Sequence, residues 1–191
     1  MPRDFTTIVS GLPRSGTSMA MQMIVAGGIE PLVDGLRIAD ADNPRGYYEL
    51  DRVKSLRTDK SWLDGARGKV VKVIHLLVPE LPDDRPYRVI FLERDLREVV
   101  QSQSAMLARS AKAGGALAPE RLMAVYEAQL RQVHAWLAAR PNFSVRIVKH
   151  AALLADASTE ARGIAAFLGD DLDLAAMAAA VDPTLHRNRI A

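Results

Sequence analysis

Between the apolar run Thr7-Ile8-Val9 and a helical stretch from Met19 to Val25 lie nine residues rich in glycine and hydroxyls: Ser10-Gly11-Leu12-Pro13-Arg14-Ser15-Gly16-Thr17-Ser18. A strand that feeds such a loop and then a helix makes a cradle for an anion. Loop N–H groups and the positive end of the helix dipole converge on one point. Arg14 adds a fixed positive charge inside the loop, and Ser15, Thr17 and Ser18 add hydroxyl donors. Phosphate or sulfate binding is the chemistry that these residue types do together. The alternative is a tight strand-to-helix turn without a ligand.

The spacing Gly11-x-x-x-x-Gly16 is that of a P-loop, but Thr17 stands where the lysine is expected. An ATP or GTP site uses that lysine to hold the β- and γ-phosphates. Its absence, with the cation moved to Arg14, points to a different phosphorylated donor. A second segment has compatible chemistry. Tyr87-Arg88-Val89-Ile90-Phe91-Leu92 reads as a buried strand and ends in Glu93-Arg94-Asp95, followed by a helix carrying Ser102. An arginine leaving a strand's C-terminal end and a serine from the second turn of the next helix can grip a dianionic phosphate. The alternative is a surface helix whose Arg94 pairs with Asp95 or Glu98.

Pro13-Arg14-Ser15-Gly16-Thr17-Ser18 resembles the 5′-phosphosulfate loop of the sulfotransferase family, whose donor is 3′-phosphoadenosine 5′-phosphosulfate (PAPS). Arg94 and Ser102, eight residues apart, are similar to the pair with which that family holds the donor's 3′-phosphate. Phe167-Leu168-Gly169 and Leu153-Leu154 also match, whereas His150-Ala151-Ala152 stands where many members carry Tyr-Glu-Asp. The resemblance implies donor contacts from Arg14, Ser15, Gly16, Thr17, Ser18, Arg94 and Ser102. It implies adenosine 3′,5′-bisphosphate as product, a hydroxyl or amine acceptor, and no required metal.

Asn43-Pro44-Arg45-Gly46-Tyr47-Tyr48-Glu49 resembles an element of bacterial sulfotransferase-like proteins, which makes Glu49 the first candidate for the catalytic base. His75, in Val71-Lys72-Val73-Ile74-His75, is the second, one residue off the lysine-to-histidine spacing of cytosolic members. Alternatively, Glu49 offsets a helix dipole and His75 is a satisfied buried histidine. Arg14 fits electrostatic stabilisation of the leaving group and not acid catalysis, since a guanidinium keeps its proton. Lys72 is costly in an apolar strand unless it reaches an anion or solvent. It flanks the transferred group or lies at a sheet edge. His134 and Trp136 read as packing residues, and Arg187 and Arg189 as a solvated tail or as further donor contacts.

These residues need elements to position them. Strands are expected over Thr6–Ser10, Lys69–His75, Tyr87–Leu92 and Asn142–Val148. Helices are expected over Thr17–Ala26, Tyr48–Asp59, Asp95–Arg109, Pro119–Ala139, Ser158–Leu168 and Leu174–Val181. The stretches 29–45 and 110–118 read as irregular, and Val78–Pro86 as a loop. Alternating strands and helices predict an α/β fold of the P-loop NTPase-like, three-layer type, with a central parallel sheet and ligands at its C-terminal edge.

The chain has 191 residues, which suits one domain over 1–191. Without cysteine, disulfides, thiolate metal sites and cysteine nucleophiles are excluded. A net charge of +2 gives no field suited to nucleic acid. No apolar run approaches a membrane span, and Met1–Phe5 leads almost directly into the first strand, so neither a signal peptide nor a membrane span is expected. A cytoplasmic location is the matching expectation. Short acceptor loops suggest an open acceptor site, or one completed by a second copy in a homodimer. Two rivals stand beside the sulfotransferase reading: a kinase-like nucleotide-binding protein, with Asp95 imitating a magnesium ligand, and a non-catalytic nucleotide-binding module.

Overall fold

Successive residues of a strand point to opposite faces, so a strand that is apolar at every position is buried on both. The first strand is buried at all six positions, although Thr6, Thr7 and Ser10 are polar. The computed structural model describes residues 3–37, 46–109, 117–169 and 171–182. They form strands β1 (Thr6–Gly11), β2 (Val70–Lys72), β3 (Tyr87–Glu93) and β4 (Phe143–Lys149), and helices α1 (Thr17–Ala26), α2 (Leu96–Arg109), α3 (Pro119–Ala138), α4 (His150–Ala155), α5 (Ala157–Leu168) and α6 (Leu174–Ala179). The strands make one parallel sheet in the order β2-β1-β3-β4.

Strand alternation divides the core into two halves. Val9, Val70, Ile90, Leu92 and Val148 pack with α1, α5 and α6 through Met21, Ile24, Ile164, Leu168 and Met177. Ile8, Val71, Val89 and Phe91 pack on the other face with Val133 and Leu137 of α3. Each fully buried aliphatic or aromatic side chain contributes about 1.5–3 kcal/mol. Two buried faces therefore hold the sheet between two helical layers, as the sequence led one to expect.

Helix boundaries follow local chemistry. Pro119 stands in the first turn of α3, where its missing N–H costs nothing. Gly27 caps α1, and Gly28 turns the chain away at φ +105°. The Asp156 carboxylate accepts from the Thr159 backbone N–H at 2.9 Å and starts α5. Among the described residues no helix is long and apolar enough to cross a membrane.

Four expectations are corrected. Tyr48–Asp59 is not an α-helix but holds one 3₁₀ turn, Asp51–Ser55. Tyr48 lies at φ +52° and Leu50 is extended, so no α-helix can run through them. Leu50, Val53 and Leu56, three residues apart, match the 3₁₀ period and enter the α3-side core. The strand expected over Lys69–His75 stops at Lys72, and His75–Glu80 is a 3₁₀ turn that also takes up the start of the expected 78–86 loop. His150–Ala155 is helical, where no element was expected. Of the irregular stretch 29–45, residues 30–32 run beside β2 and exchange backbone hydrogen bonds with Val70, which covers the sheet edge. Residues 38–45 and 110–116 lie outside the described residues.

Candidate functional site

From β1 the chain leads to β2 on one side, then crosses β1 to reach β3 on the other. The crevice beyond the C-terminal ends of β1 and β3 is the switch point at which open parallel sheets bind ligands. Gly11 and Leu92 are paired there. A Cβ on Gly11 would sit 2.6 Å from the Leu92 carbonyl oxygen and 2.6 Å from Ser15 Oγ, at φ +150°. Only glycine lets the loop start this close to β3. Gly16 caps α1 at φ +99° without a side-chain hydrogen bond. A Cβ there would meet the His150 ring at 2.7 Å, so the histidine at the start of α4 forms part of the loop's floor.

Arg14 adopts φ +67°. A left-handed conformation costs a non-glycine residue about 1–2 kcal/mol, and two long-range contacts hold it. Arg14 Nε donates to Ser102 Oγ at 3.0 Å, and Arg94 Nη1 donates to the Arg14 carbonyl at 3.1 Å. Arg94 Nε also donates to Glu98 Oε2 at 2.8 Å, with both side chains largely buried. The Glu98 pairing considered from sequence therefore occurs, while Asp95 pairs with Arg97. Arg94 and Ser102 meet through Arg14. Ser15 Oγ and Ser10 Oγ are buried with no hydrogen-bond partner among the described residues. Thr17 and Ser18 open α1 beside them.

The lysine that was out of place in an apolar strand has an anionic partner. Lys72 Nζ lies 3.2 Å from Glu49 Oε1, donates to Ser18 Oγ at 3.3 Å, and donates to the Tyr47 carbonyl. Burial pushes its ammonium below the usual lysine range, with Glu49 opposing. Glu49 thus stands one lysine away from the start of α1. On its other side Arg37 Nη1 approaches both carboxylate oxygens at 3.0 Å, and the guanidinium lies 3.4 Å from the Tyr47 ring centroid. Arg37 had no signal in the sequence, because it sits in an irregular segment without periodicity.

His75 is 2% exposed, and its Nε2 lies 2.9 Å from Gln129 Oε1 of α3. Because β2 ends at Lys72, the strict alternation that would separate Lys72 from His75 does not apply. Burial pushes the imidazole below its usual 6.5, opposed by Gln129 and the Gly11 backbone. Below 6.5 the unfolded chain takes up a proton that the native ring refuses, so native stability falls as pH drops through that window. Urea midpoints measured from about pH 7.5 to about pH 5 are expected to fall more steeply in wild type than in His75→Gln. Equal slopes would show that the ring titrates alike in both states. His134 packs against Phe91, with ring centroids 4.6 Å apart, and its Nε2 lies 3.1 Å from Glu93. Arg187 and Arg189 lie outside the described residues.

Comparison with protein-family models gives no match, and no curated protein matches. Among solved structures the chain is similar to a sulfotransferase from Alicyclobacillus acidocaldarius, with a TM-score of 0.52 and 16% identity, over 86% of this chain and 81% of that one. The fold is thus an α/β sandwich around a four-stranded parallel sheet, similar to that of a sulfotransferase.

Proposed function

We propose that this chain is a sulfotransferase that uses PAPS as donor and a hydroxyl or amine compound as acceptor. The observation that carries the reading is the convergence of Arg14, Arg94 and Ser102 on the glycine loop at the β1–β3 switch point. The residues fit such a donor. The glycine positions leave no room for side chains, and the buried hydroxyls of Ser10 and Ser15 lack partners among the described residues. Similarity of fold to a sulfotransferase supports the same reading.

The loop residues Arg14 to Ser18 would hold the 5′-phosphosulfate, and Arg94 with Ser102 the 3′-phosphate. When bound, the donor supplies an activated sulfuryl group: the acceptor oxygen or nitrogen gains a bond to sulfur as the bond from sulfur to the 5′-phosphate oxygen breaks. Glu49 accepts the proton that the acceptor loses. Arg14 and Lys72 place positive charge where the leaving phosphate gains negative charge, so the reading calls for no metal. His75 is the second candidate for the base. A cytoplasmic enzyme is the setting that accompanies this reading.

Calorimetric titration with adenosine 3′,5′-bisphosphate, AMP and Mg²⁺-ATP tests it. Hydrogen bonds to a charged phosphate contribute about 1.5–3 kcal/mol, so the bisphosphate is expected to bind about 10–100-fold more tightly than AMP. Arg94→Ala, which leaves the Glu98 carboxylate facing the phosphate, should erase that preference, and Ser102→Ala should reduce it. Equal binding of bisphosphate and AMP would overturn the donor assignment. Magnesium-dependent ATP binding in its place would favour the kinase-like reading.

A further inference from the structure

We propose that Arg37 selects the acceptor, favouring hydroxyl compounds that carry a carboxylate or similar oxyanion near the reacting hydroxyl. The proposal takes the reaction from the reading above and the role of Arg37 from the geometry. Four groups form a line from the loop helix outward: Ser18, Lys72, Glu49 and Arg37. The Lys72 side chain is 8% exposed, that of Glu49 29%, and that of Arg37 48%. Arg37 is therefore the outermost group beside the carboxylate that takes the acceptor's proton, and an arriving acceptor meets it first.

The guanidinium is also pre-organised. It stacks on the Tyr47 ring and is fixed by Glu49 through a single nitrogen, Nη1. A guanidinium has five N–H donors in a planar fork. Glu49 takes only Nη1 of this fork, and the Tyr47 side chain also hydrogen-bonds to the guanidinium. A fork already held in place loses little side-chain freedom on binding a ligand, and its geometry matches an oxyanion in a bidentate manner. If Arg37 served only to brace Glu49, it would act alike on charged and neutral acceptors.

Paired probes that differ only in charge separate the two roles: 4-hydroxyphenylacetate against 4-hydroxyphenylacetamide, and glycolate against glycolamide. Their dissociation constants are measured by saturation-transfer NMR on the full chain, with and without adenosine 3′,5′-bisphosphate. In wild type the charged member of each pair is expected to bind about tenfold more tightly. In Arg37→Gln the ratio should fall to near one, and Arg37→Lys, which keeps the charge but loses the fork, should fall between. No preference in wild type overturns the proposal, as does a preference that persists in Arg37→Gln. The bisphosphate titration on the same samples tests the donor reading separately. Bisphosphate binding without a charge preference rejects only the role of Arg37. A charge preference that depends on Arg37 without bisphosphate binding rejects only the donor.

Discussion

Glu49→Gln is expected to slow sulfuryl transfer by about 10²–10⁴-fold, the range for loss of a positioned general base, and to leave bisphosphate affinity essentially where it was. Glutamine keeps the length of the side chain and can still accept from Lys72 and Arg37, which lie 3.2 Å and 3.0 Å from the carboxylate. What it loses is the ability to take a proton. The donor contacts assigned to Arg14, Arg94 and Ser102 are on other elements and do not pass through Glu49. Release of bisphosphate from PAPS with 4-hydroxyphenylacetate as acceptor measures the rate, and calorimetry measures the affinity. His75→Gln, assayed in parallel, decides between the two candidates. An undiminished rate in Glu49→Gln with a collapse in His75→Gln would move the base to the α3 side of the sheet. Two undiminished rates would leave transfer without a protein base.

The parts of this site that were legible in the sequence are those whose causes are local. Gly11 and Gly16 announce a loop because glycine is the residue for positive φ and close approach, and the structure shows both demands at both positions. Strand β3 and helix α2 were legible from apolar runs and periodicity, so Arg94 and Ser102 could be placed at a sheet edge. Their partners were not, because those depend on contacts across the chain. Ser102 meets Arg14 from 88 residues away, and Arg94 meets the Arg14 carbonyl from 80. The run Lys69 to His75 reads as a strand, but the β1–β2 pairing ends at Val9 and Lys72. The chain then turns, which leaves Ile74 and Leu76 nearly half exposed and His75 buried between them. Lys72 announced itself as a charge that needed an anion or solvent. Which of these it met was decided by a segment in which Tyr48 lies at φ +52°, a conformation with no signature in composition or period.

Lys72→Met is expected to leave the protein as stable as wild type at neutral pH, or more stable, and to lower the transfer rate by about 10²-fold or more. Lys72 is nearly buried, and burial lowers its pKa from the usual 10.5. Below both the folded value and 10.5 the ammonium is charged in both states, and desolvation then costs the native state. That cost fades as pH rises through the interval between the folded value and 10.5, where the native chain has shed the proton and the unfolded chain has not. Wild-type stability should therefore gain with pH across this interval, and Lys72→Met should lack that gain. Methionine fills similar volume without a charge to desolvate. The carboxylate it leaves behind is partly exposed and still paired with Arg37, so no buried anion is orphaned. Function should go the other way, since the variant removes the cation that joins Glu49 to the first turn of α1. Urea midpoints at about pH 7 and about pH 10, together with the PAPS assay, read the two effects independently. A large loss of stability at neutral pH would mean that the Lys72–Glu49 pair holds the fold. An unchanged rate would remove Lys72 from the chemistry and leave the leaving group to Arg14 alone.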